Sequence, residues 1–166
     1  MPRLAYFFDS LQDIVENWDG KTLICSKLYY SHQPDHIFGM GGNFNPKTGT
    51  KNLIGRTERD GPAYQKDLEV DWFLGIGVML HKSIVEQVGY LDEVNFPHYH
   101  ADIDYALRAR YKGFKNVVFH ELRLLNDMET TGISHKKDKS LKDFLASFTS
   151  IKSNLNIRRN LKFYRI

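Results

Sequence analysis

Leu4, Phe7, Phe8, Leu11, Ile14 and Val15 recur every three or four positions, which predicts an amphipathic helix over residues 3–17. The pattern then changes. "KTLICSKLYY", centred on Leu23, Ile24 and Cys25, reads as a strand. "GMGGNFNPKTGTKNLIG" is rich in turn formers, and its Asn-Pro and Thr-Gly steps predict a hairpin. "LEVDWFLGIGVMLHK" is the most apolar strand-like segment and the expected sheet centre. "SIVEQVG" follows as a short helix, with Ser83 expected as N-cap and Gly89 past its end.

A second helix begins within "NFPHYHADIDYALRARYKGF". Ile103, Ala106, Leu107 and Tyr111 fall on one face, Asp102 stands at the entrance and Gly113 ends the run. Asp104 and Arg108 make an (i, i+4) pair in the favourable order. "NVVFHELRLL" predicts one or two strands and "NDMETTGISHKKDKS" a long polar loop. Leu141, Phe144, Leu145, Phe148, Ile151 and Leu155 then predict one amphipathic helix that ends in the basic "IRRNLKFYRI". Mixed strands and helices give the class α/β. The chain divides into a body, 1–135, and a basic helical segment, 136–166.

Composition narrows the options. A chain of 166 residues, 42% hydrophobic and 26% charged, suits one globular domain, and we find no internal repeat or disordered tract. The longest apolar run, "WFLGIGVML", is far short of the ~20 residues of a membrane span. "MPRLAYFFDS" lacks the apolar core and cleavage site of a signal peptide. The lone Cys25 excludes an internal disulfide and fits a reducing compartment, so a cytoplasmic location is expected. Residues 136–166 carry nine Lys/Arg against two acids, a net of +7, which leaves −4 of the overall +3 to residues 1–135. A basic tail on an acidic body points to a phosphate partner in a nucleotide, a lipid head group or nucleic acid, or else to a merely solvated face.

Candidate chemistry gathers where His98, His100, Asp102 and Asp104 alternate. Alternate ligands on an extended segment share a side, and His-x-His-x-Asp is the zinc-ligand run of metallo-β-lactamase-like hydrolases. That pattern next requires a histidine, and this chain has Ile103; only His120 and His135 could complete the set. A carboxylate at a helix start can instead accept a proton from a substrate hydroxyl, or can simply cap the helix.

The ordered set Trp72 and Gly75, Val88-Gly89, Asp92-Glu93, Phe96, Asp102, Asp104, Arg108 and Gly113-Phe114 resembles the acceptor-side half of glycosyltransferase family 2. The likeness is greatest to its rhamnosyltransferase-like members. "GMGGNFNPKTG" is similar to that family's glycine-rich hairpin, and "RRNLKFYRI" to its closing Arg-Asn segment. The resemblance covers almost the whole chain and implies part of a GT-A-like fold closed by an amphipathic C-terminal helix. It implies Asp102 as general base in an inverting transfer from a nucleotide-sugar to a glycan or lipid-linked acceptor. Trp72, Gly75, Ile76, Gly77 and His100 would contact the sugars. Ala101 stands where the family has glutamate. The family's nucleotide-binding half, whose Asp-x-Asp motif holds Mg²⁺ or Mn²⁺, is expected to lie outside these residues. The chain alone is therefore expected to hold no cofactor and to need a donor-binding partner or self-association. Contact of the basic tail with the inner face of the membrane is also expected, and contact with nucleic acid is not. The competing expectation is a non-catalytic module that binds glycan, a partner or membrane through the same cleft.

Overall fold

The computed structural model describes residues 4–127, 140–150, 153 and 155–164. The order of elements is α1 (Leu4–Glu16), β1 (Thr22–Tyr30), β2 (Gln33–Gly39), β3 (Gly42–Asn45) and β4 (Thr50–Leu53). Then come β5 (Leu68–Val70), β6 (Val78–Met79), α2 (Lys82–Val88), α3 (Ala101–Tyr111), β7 (Lys115–Asn126), α4 (Leu141–Ser147) and α5 (Ile157–Phe163). The architecture is mixed α/β. Five strands form a mixed sheet in the order β2-β1-β7-β5, with β6 also paired to β1. β1 and β7 are parallel, their other neighbours are antiparallel, and β3 and β4 make a separate hairpin.

The centre of the sheet is the β1–β7 pair, not residues 68–82 as the apolar pattern suggested. β1 is buried along seven consecutive residues, Leu23–Tyr29, as a strand covered on both faces must be. Each of its large apolar side chains contributes about 1.5–3 kcal/mol on burial. Lys27 lies fully inside this run, and its Nζ donates to Asp60 Oδ1 at 2.6 Å and to the Tyr64 carbonyl at 2.8 Å. Tyr29 donates to the other Asp60 oxygen at 2.6 Å, so the buried ammonium is paired and the 56–65 segment is tied to the strand. Burial pushes the Cys25 thiol well above its ordinary value, which suits an inert core residue.

The apolar segment 68–82 breaks because its glycines do other work. Gly77 has φ +65°, and a Cβ there would meet Leu124 and Ser26, so the chain leaves the extended form before β6. Its carbonyl accepts from both the Ser26 N–H and its hydroxyl, at 3.1 and 2.7 Å.

Three helix expectations also change. α2 is capped by His81, whose Nδ1 accepts from the Ser83 N–H, while the Ser83 hydroxyl donates to Gly20. α3 buries Asp104, Tyr105, Ala106 and Ala109, and leaves Tyr111 74% exposed. The expected face is rotated because the Asp104–Arg108 pair turns inward: Arg108 Nε donates to Asp104 at 2.8 Å. Its Nη1 and Nη2 donate to the Val88 and Tyr90 carbonyls at 2.9 and 3.0 Å, capping the end of α2. The single C-terminal helix is two, interrupted by Asn156. Its amide donates to the Thr149 and Ser150 carbonyls, and its Oδ1 accepts from the Arg159 N–H to cap α5. Most of the expected polar loop, Ile151 and the chain end lie outside the described residues.

Candidate active site

α3 begins where His100 takes φ +72°, and this left-handed step aims the first turn at the segment between β5 and β6. Asp102 is the second residue of the helix. Its Oδ2 accepts from the Gly75 N–H at 3.1 Å, and its Oδ1 from the Ile103 N–H at 2.9 Å. The carboxylate opens into a cleft of about 300 Å³ walled by Phe73, Val78, Leu80, Leu91 and Tyr105, with His98 at its edge. Burial among these groups raises the Asp102 pKa from its ordinary value, while the two N–H groups and Lys51 oppose the shift. A carboxylate held this way is oriented, poorly solvated and a better proton acceptor than one in water.

Gly75 leaves room beside the acid, since a Cβ there would stand 3.4 Å from the Asp102 Cβ. The cleft brings together Asp102 and Gly75 but not the other expected contacts. Trp72 is buried, its Nε1 donating to the Asn43 carbonyl at 3.2 Å and its ring pressed on Gly42, where a Cβ would lie 2.4 Å from the indole. Ile76 is partly exposed, and Gly77 serves the β1–β6 junction described above.

His100 faces away from the cleft and joins three elements. Its Nδ1 is 3.2 Å from the Lys51 ammonium of β4, and its Nε2 is 2.7 Å from Asn160 Oδ1 of α5. An ammonium can only donate, so Nδ1 accepts and the ring proton sits on Nε2. The ring stacks on Phe163 at 4.6 Å, and Lys51 lies over the same phenyl ring. Burial lowers the His100 pKa to about 4, with Lys51 and Arg159 adding to the shift against the Asn160 bond. His100 is thus neutral at physiological pH and fastens α5 to the start of the Asp102 helix.

Three contributors have no sequence signal of their own. No motif marks Phe73 or Tyr105, which wall the cleft, or Lys51, which the fold brings beside His100 across 49 positions.

The alternate histidines and acids do not form a metal centre. Among the described residues no group of three or more His, Cys, Asp or Glu side chains is placed to hold an ion. Asp104 is engaged by Arg108, and His120 by Asp67 at 2.7 Å; His135 lies outside the described residues. The Mg²⁺ or Mn²⁺ that the resemblance implies for a complete enzyme is expected on the Asp-x-Asp motif of the other half, not on these residues. No protein-family model matches the chain, and no curated protein is similar to it.

Proposed function

We propose that this chain is the acceptor-side half of an inverting nucleotide-sugar glycosyltransferase with a partial GT-A-like fold, and that Asp102 is its general base. The observation that carries the reading is the Asp102 carboxylate, oriented by two backbone N–H groups in a cleft of about 300 Å³ and shielded by apolar walls. The motifs around Trp72, Gly75, Asp102 and Arg108 add to it.

In the step, an acceptor hydroxyl enters the cleft and gives its proton to the Asp102 carboxylate. Its oxygen attacks the anomeric carbon, the new C–O bond forms, and the bond to the nucleoside diphosphate breaks. The leaving diphosphate takes that electron pair. Attack opposite the leaving group inverts the anomeric configuration. A nucleotide-binding half must present the donor, from a longer form of the protein, a partner chain or a second copy. The exposed Phe8 and Val15 of α1, seven positions apart on one side of the helix, offer an apolar face on which such a half could rest.

The test uses that longer form, or a mixture of the two halves, with a nucleotide-sugar and a sugar acceptor. Proton NMR of the first product formed should show the anomeric configuration opposite to the donor's. Retained configuration would contradict direct displacement assisted by one base. Hydrolysis without transfer, at every acceptor tried, would contradict the acceptor-side assignment.

A competing reading, a binding module for glycan, partner or membrane, draws on the exposed Leu141, Phe144 and Leu145 of α4. Among the described residues no helix is long and apolar enough to cross a membrane.

A further inference from the structure

The connection between α2 and α3 serves two concave sites. Leu91 and His98 wall the Asp102 cleft, whereas Val94, Asn95 and Pro97 line a larger groove of about 640 Å³. Phe148, Ile157 and Leu161 complete the apolar part of that groove. Val94 is 82% exposed and Leu161 55%, so these side chains meet water when the groove is empty.

The charged lining has one sign. Arg158, Arg159 and Lys162 stand in it, and none of the described lining residues is acidic. Lys162 donates to the neutral Asn95 Oδ1, and Arg159 donates to the Ser153 carbonyl while lying 4.9 Å over the Tyr99 ring. Arg158 makes no ion pair among the described residues.

The neutral polar groups of the lining are already bonded within the protein. Asn156 is bonded to Thr149, Ser150 and Arg159, and Asn95 to Asp92 and Lys162. The Thr149 hydroxyl donates to the Ala146 carbonyl. A peptide laid in the groove would find few partners for its own N–H and C=O groups, and leaving them unmet is costly. A hydrocarbon chain has no such need, and an anionic head would answer Arg158 and Lys162.

We propose that the groove is the binding site for a single lipid phosphate, its chain against Val94, Phe148, Ile157 and Leu161 and its phosphate against Arg158 and Lys162. The volume lies within the range of pockets that enclose small organic ligands. The binding does not depend on the glycosyl-transfer reading above.

The test is a titration of this chain with fluorescent dodecyl phosphate below its micelle-forming concentration, read by anisotropy with no sugar donor present. Saturable binding is expected, weakened by added salt. Charge reversal at Arg158→Glu with Lys162→Glu should weaken it about 10-fold or more, and Leu161→Asp comparably. Circular dichroism checks that each variant folds. If one does not, a neutral dodecyl alcohol probe and inorganic phosphate as competitor, both on the native chain, decide the same question. Equal binding of the neutral probe, or no saturable binding, would overturn the proposal. Binding to vesicles of anionic phospholipid without binding of the monomeric alkyl phosphate would assign a membrane surface instead, and would also overturn it. Since no transfer is measured, failure here leaves the role of Asp102 standing, and failure of Asp102 leaves this site standing.

Discussion

Asp102→Asn lowers kcat by about 10²–10⁴-fold in the enzyme with its donor-binding half present, the range expected when a general base is lost. The amide is nearly the same shape but cannot take the hydroxyl proton. Its effect on stability is small, because two changes oppose. The aspartate accepts one N–H on each oxygen, from Gly75 and Ile103, and the amide retains one acceptor oxygen, losing about 1 kcal/mol. Against that, removing the charge relieves the burial that raises the Asp102 pKa. His98→Ala is the control. It trims the edge of the cleft and costs far less than the loss of the base, whereas a zinc site would make the two variants comparably damaging and sensitive to chelators. Transfer rates and melting temperatures measured side by side check this. Near-normal turnover in Asp102→Asn would leave Asp102 a helix-start residue and nothing more.

Arg108→Ala has the largest expected effect on the fold. It strips the partner from Asp104, whose side chain is only 3% exposed, and frees the Val88 and Tyr90 carbonyls. Breaking a buried pair from one side costs about 3–5 kcal/mol, or roughly 6–20 °C in a chain of this size. The loss depends on pH. Burial already raises the Asp104 pKa against the pull of Arg108, and without the guanidinium it rises further. The folded variant then holds its proton where the unfolded chain has lost it, so the deficit is smallest in acid and grows toward neutral pH. Thermal melts at pH 5 and pH 7.5 read this directly. Joint replacement, Asp104→Leu with Arg108→Met, should recover the part of the loss that comes from the unpaired Asp104 carboxylate, but not the part from the two freed carbonyls. A drop of a degree or two, equal at both pH values, would mean that the pair holds nothing.

The periodic elements were legible where local pattern and burial coincide. Residues 3–17 gave α1 at Leu4–Glu16, the turn formers gave the β3–β4 hairpin, and "KTLICSKLYY" gave β1. The failures have physical causes that sequence distance hides. Residues 68–82 look like the sheet centre because they are apolar, but Gly77 needs a positive φ there, and the centre belongs to a strand holding a buried lysine. Lys27 reads as polar until Asp60, 33 positions away, neutralises it. The face of α3 was misjudged because an ion pair normally turned to solvent here satisfies the carbonyls behind α2.

Of the residues that the motifs single out for the candidate site, Asp102 and Gly75 line one cleft. The motifs single out Asp102 and Gly75 separately, and the fold places the Gly75 N–H against the Asp102 carboxylate. Trp72, despite a flat ring suited to a sugar face, packs on Gly42 instead. His100 was expected to touch substrate, yet it binds Lys51 and Asn160. Its separation from those residues in the chain, 49 and 60 positions, leaves no local trace.

The claim that Asp102 accepts the acceptor's proton is tested most directly by the pH profile of kcat/KM for glycosyl transfer, native against Asp102→Asn. Burial should place the acid limb of the native profile above the ordinary aspartate value of about 3.9, with activity lost as the carboxylate is protonated. In Asp102→Asn that limb should vanish, leaving a low and pH-independent residual rate across the same range. An acid limb that persists unchanged in Asp102→Asn would assign the titrating base to another group and contradict the account.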